Sequence, residues 1–213
     1  MQGLAPMKLK RAELVVLIFT VAYIVTFGIV FLAAGNSEFV WYVITLVIFL
    51  GLVAATQRVA RFPAFILWGL AVWGLAHMAG GGVRVGDGVL YSLVVVPLAN
   101  AGELAILKYD QIVHFYGFGV ATLVLWHVLR RNFPDLDGTK TIYAFAVLGG
   151  MGLGALNELI EFTAVLAFPN TNVGGYFNTA LDLVFNTLGA LTAAVLASLM
   201  TSTEHKAADR KIS

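Results

Sequence analysis

Six times along its 213 residues the chain runs for about 20 residues with almost no charge. That is the length an α-helix needs to cross a hydrocarbon layer of roughly 30 Å at about 1.5 Å per residue. In hydrocarbon a segment must satisfy its own N–H and C=O groups, which a helix does internally. The stretches at about residues 12–34, 38–56, 63–80, 109–130, 141–167 and 176–200 predict an all-α membrane protein. They form six transmembrane helices in a single integral membrane domain, residues 1–213. Composition agrees: 12% of residues are charged, against roughly 25% in soluble domains. The first run follows MKLKR, but at about 23 residues it exceeds the apolar core of a cleaved signal peptide. It reads as helix 1.

With six spans both termini share a side, and basic residues indicate which. Lys8, Lys10, Arg11, Arg58, Arg61, Arg130, Arg131, Lys140, Lys206, Arg210 and Lys211 fall on the side of the termini, leaving Arg84 and Lys108 opposite. Both termini are therefore expected in the cytoplasm, and the protein in a cytoplasmic (inner) membrane. The long connection between helices 3 and 4 is then external. Its VRVGDGVLYSLVVVP flanks Gly86-Asp87-Gly88 with β-branched residues, which predicts a short hairpin or cap. A re-entrant segment is the competing reading of VLYSLVVVPLA. STEHKAADRKIS reads as a polar tail without a motif. A net charge of +1 gives no reason to expect nucleic acid, so the expected partners are membrane lipids. The absence of cysteine excludes thiolate ligands, a cysteine nucleophile and disulfides.

Counting down from the external helix ends, His77 lies about 5 Å deep and His114 about 6 Å below Asp110. Glu161 and Glu158 lie about 9 and 13 Å deep, and Asn178, Asp182 and Asn186 about 3, 9 and 15 Å. Four helices thus bring polar residues into one half of the bilayer. Intramembrane charge costs roughly 2.5–3.5 kcal/mol per residue on insertion scales and turns inward or toward water. Gly150, Gly154 and Glu158 are spaced by four, so a neighbouring helix can approach beneath the carboxylate.

Glu158 and Glu161, three apart, can share a divalent cation or act as acid and base. Alternatively, one pairs with His77 or His114 and the other bonds Asn157 or Asn186. Asp110 and His114 suit two metal ligands or an oriented proton shuttle, unless Asp110 merely caps its helix. Asp182, Asn178 and Asn186 offer oxygens and amides for a hard cation or a head group, or for interhelical packing. His77 completes the group or is structural. Gly-x-Ser-x-Gly, His-Glu-x-x-His and phosphate-loop motifs are absent, which argues against a serine hydrolase. Arg84 and Lys108 can meet an anionic head group at the rim.

Asp110-x-x-x-His114, Glu158, and Asp182-x-x-x-Asn186-x-x-Gly189 resemble the VanZ-like membrane proteins across three helices. The departures are Gln111, where those proteins usually carry lysine, and Glu161, where they carry glutamine. The second glutamate and His77-x-x-Gly80 look more like the related YjdF-like inner-membrane group. The resemblance spans about residues 77–190 and implies the fold, the site and a cell-envelope role.

The expectation is an external-facing intramembrane polar pocket that binds a divalent metal ion or an anionic lipid head group. If it is an envelope-lipid-modifying enzyme, Glu158 or Glu161 is the general base, and Asp182 and His114 are ligands. Asp110, Asn186, Asn178 and His77 complete the binding set. The rivals are a proton- or cation-coupled transporter, which requires a polar path to the cytoplasm, and a non-catalytic assembly factor.

Overall fold

The computed structural model describes residues 9–35, 37–101, 104–167 and 175–212; Lys8 lies outside them. Six helices are long and apolar enough to cross a membrane. They are α1 (Arg11–Ala33), α2 (Ser37–Ala60), α3 (Ala64–Gly82), α4 (Tyr109–Asn132), α5 (Lys140–Ala167) and α6 (Tyr176–Ile212). The chain divides into two compact units, Met1–Met78 and Ala79–Ser213.

In the first unit, aromatic rings of Phe27, Phe31, Phe39 and Tyr42 stack in series. The turn from α2 into α3 is held by Gln57, which is buried. Its amide donates to Glu13 Oε1 at 3.0 Å and to the Phe62 carbonyl at 3.2 Å, and its Oε1 accepts from Phe62 N at 3.1 Å. Every polar function of that side chain is thus used, as burial in an apolar layer requires. Arg61 adopts a left-handed φ of 50° at the same corner.

The second unit holds the expected hairpin and a second one. β1 (Arg84–Val85) pairs antiparallel with β2 (Gly88–Val89). Gly86, with φ 58°, occupies the first position of the two-residue turn, where a positive φ favours glycine. VLYSLVVVPLA forms a turn and a strand, not a helix. A short 3-10 turn at Leu90–Ser92 leads into β3 (Val94–Ala101), which pairs with β4 (Leu104–Lys108). The register slips between Val94 and Ala99, where Pro97 has no N–H to give the ladder.

β4 runs directly into α4. The start of that helix is tied back by Tyr109 N donating to the Leu93 carbonyl at 2.9 Å. Gln111 is almost wholly buried. It donates to the Ala105 carbonyl at 2.9 Å and accepts from Lys108 N at 3.1 Å. Gln111, one of the two departures from the VanZ-like pattern, therefore clamps the strand to the helix.

Contacts at both ends show α5 antiparallel to α4 and α6. α4 and α6 approach most closely at two glycines. A Cβ on Gly119 would stand 3.2 Å from the Gly189 carbonyl oxygen, and one on Gly189 would overlap the Phe115 carbonyl. Gly150 meets Thr122 of α4 and Gly154 meets Asn186 of α6, as the spacing of four predicts. Away from the hairpins, Trp126, Ile142, Ala146 and Ala197 form an apolar core.

The polar tail is not a separate segment. α6 continues as helix to Ile212, and Arg130 pairs with both Asp137 and Glu204. His205 Nε2 lies 3.9 Å from Asp137 Oδ2. The helix continues past the end of the apolar pattern near residue 200.

Replacing Gly189 by alanine should lower the thermal stability of the detergent-solubilised protein by about 1–3 kcal/mol, the usual cost of forcing atoms into a packed contact. Gly152→Ala is the control, since no atom lies within 4 Å of its Cβ position. Equal melting temperatures for the two variants would contradict the close approach.

Candidate functional site

The hairpin end of α4, α5 and α6 gathers all but one of the expected site residues. Asp110 lies in the first turn of α4, after Lys108 at the N-cap, so it is not the capping residue. One turn on is His114, which the helical spacing of four stacks on the same face. Glu158 and Glu161 come from late α5, and Asn178, Asp182 and Asn186 from early α6. Asp110, His114, Glu158, Glu161, Asp182 and Asn186 are all buried, at 9% exposure or less.

His114 stands at the centre. Its Nδ1 lies 3.0 Å from Asn186 Oδ1 and 3.6 Å from Glu158 Oε1. Its Nε2 lies 3.6 Å from Asp110 Oδ1 and 3.7 Å from Glu161 Oε1. Asn178 donates to Asp182 Oδ2 at 2.6 Å and reaches Asp110 Oδ2 at 3.4 Å. Its own Oδ1 accepts from Lys108 Nζ at 3.4 Å. Asn157 donates to Glu161 Oε1 at 2.8 Å, one of the two arrangements expected for the glutamate pair.

Two overlapping groups have the spacing of metal ligands: Asp110, His114 and Asp182, and His114, Glu158 and Glu161. Within each, one donor atom per residue lies within 4.8 Å of the others. Both Glu158 oxygens, Asp182 Oδ1 and Asn186 Nδ2 are buried and make no hydrogen bond of good geometry. Such atoms cost about 1–3 kcal/mol each, more when charged. Four carboxyl groups surround a single imidazole in a medium that screens charge poorly.

His77 belongs to the first unit. Its ring stands edge-on to Tyr42, with centroids 5.4 Å apart and planes at 90°. Lys108 and Gln111 are the polar residues at this end whose roles spacing alone does not assign. Lys108 is visible only as an external charge, and Gln111 only as a departure from the family pattern.

Glu158→Leu should raise the melting temperature of chelator-treated protein, by the equivalent of about 1–3 kcal/mol per relieved buried oxygen. Asn186→Leu should lower it, because His114 loses its hydrogen-bond partner. Destabilisation by Glu158→Leu as large as that by Asn186→Leu would mean that the carboxylate already has a structural partner.

A Thermotoga maritima protein described as "Uncharacterized protein" is 36% identical over 90 residues, covering 42% of this chain and 47% of that protein. The chain thus spans about half the length of that relative. No solved structure matches the chain. The family model described as "Predicted membrane protein (DUF2238)" matches residues 14–203, which include α2 to α5, most of α1 and α6, and every residue of the polar cluster. By that match the chain belongs to this family of membrane proteins.

Proposed function

We propose that the polar cluster is an intramembrane site for a divalent cation. The single observation that carries this reading is the buried, unpartnered oxygen of Asp182 inside a group of converging donors. Buried carboxylates without donors are stabilised by a metal ion or by protons. One imidazole among carboxylates suits a first-row transition ion better than Mg2+ or Ca2+, which prefer oxygen alone. Donor atoms within 4.8 Å of one another favour a bare ion over a lipid head group as the occupant.

The same residues support the kinship to VanZ-like and YjdF-like proteins. With that kinship and the bias of basic residues, the reading places the site toward the outside of a cytoplasmic membrane, both termini inside. A bound cation there would polarise an oxygen or activate a water, and Glu158 or Glu161 would serve as the base toward an envelope lipid. The transporter reading is weaker. Beyond Gly119 and Gly189 the helices are filled by Trp126, Ile142, Ala146 and Ala197, which favours a site open at one end over a polar path through the membrane.

Elemental mass spectrometry of the purified protein, before and after loading with Mn2+, Fe2+ or Zn2+, tests the cation reading. The expected result is about one transition metal per chain, lost in Asp182→Ala and His114→Ala variants that remain monodisperse. Wild-type protein free of metal after loading would overturn it.

A further inference from the structure

We infer that Asn186 fixes His114 as the Nδ1–H tautomer, and that Asn178 turns the two aspartates, so that His114 Nε2, Asp110 Oδ1 and Asp182 Oδ1 form one ion-binding face. The ion in this statement rests on the cation reading above; the tautomer does not. Both amides are thereby positioning residues rather than ligands.

The argument for Asn186 is one of donors and acceptors. An amide oxygen can only accept, so with Asn186 turning Oδ1 rather than Nδ2 to His114 Nδ1, at 3.0 Å, the proton lies on Nδ1. A neutral imidazole then carries its lone pair on Nε2. The nearest carboxylate oxygens to Nε2, on Asp110 and Glu161, stand at 3.6 and 3.7 Å. Those distances are too long for hydrogen bonds. They suit two ligands of one ion, which lie about 3–4 Å apart when each bond is about 2.0–2.2 Å. Glu158, 3.6 Å from Nδ1, faces the N–H side and cannot share an ion with that nitrogen.

Asn178 does the matching work on the carboxylates. Lys108 Nζ is only a donor, so its contact with Asn178 Oδ1 sets which way the amide faces. The amide nitrogen is thereby directed to Oδ2 of both Asp182 and Asp110. Asp110 Oδ1 is left toward His114 Nε2, and Asp182 Oδ1 is left buried and unpartnered. The spacing of four places one amide a turn before Asp182 and the other a turn after it on a single face of α6. Outer partners of this kind typically change metal affinity by about 10–100-fold when removed.

The test is 15N NMR of full-length protein labelled at histidine nitrogens, with His114 signals identified by their loss in His114→Gln and Zn2+ as the probe ion. The expected spectrum shows a protonated Nδ1 in metal-free protein, and Zn2+ shifts the Nε2 signal while the Nδ1–H remains. Asn186→Asp, which keeps an acceptor, should preserve the tautomer. Asn186→Leu should mix the tautomers, and Asn178→Leu should weaken Zn2+ by about 10–100-fold with the tautomer unchanged. A protonated Nε2 in wild type, or a Zn2+ shift at Nδ1, overturns the inference even if Asn186→Leu fails to fold. An Nδ1–H tautomer with no Zn2+ response supports the role of Asn186 and overturns the cation reading instead.

Discussion

At Gly119 and Gly189 the backbones of α4 and α6 meet with no side chain between them, and the polar cluster about one turn away depends on that approach. Interhelical distance in a membrane is set by the size of the residues at the crossing, because lipid supplies no hydrophobic drive to squeeze helices together. Here the small residues continue onto α5. Gly154 leaves room for Asn186, and Gly150 for Thr122. The 3.0 Å contact between His114 and Asn186 spans two helices and exists only because nothing bulkier keeps them apart. Packing, rather than local propensity, creates the chemistry.

Buried polar groups are treated in two ways within the same chain. Gln57 fills its donor and acceptor capacity with Glu13 and the Phe62 backbone, and such a group fixes a corner. Asp182 is more deeply sequestered yet retains an oxygen with no donor. A structural role is served by complete pairing. Incomplete pairing sacrifices stability, and here it falls on facing residues of α5 and α6.

The helices and the level of the polar residues were legible in the sequence because each follows from one chain's own periodicity. Runs of about 20 apolar residues fix a span, and intervals of four fix a face. Gly150, Gly154 and Glu158 were read correctly on that basis. What could not be read depends on partners distant in the chain or on atoms within one residue. Spacing places Asn178 and Asn186 on the face of Asp182 but cannot tell an amide that binds from one that orients. The second hairpin was hidden by VVVPLA, which lacks the alternation of a half-exposed strand. The helical tail of α6 was hidden by its composition, since a helix leaving the membrane keeps its hydrogen bonds while losing its apolar signature. Gln111 gave no signal beyond its mismatch to a family pattern, because the carbonyl it binds belongs to a strand not foreseen.

α6 carries Asp182 and Glu204 on one helix of 37 residues, about 55 Å long at 1.5 Å per residue. No proline interrupts it, so it has no ready joint. It is a stiff rod with an electrostatic anchor on Arg130 at one end and the most buried carboxylate of the cluster at the other. One helix without a proline break therefore carries both a carboxylate of the cluster and a partner of the charged clamp on the far side of the apolar core.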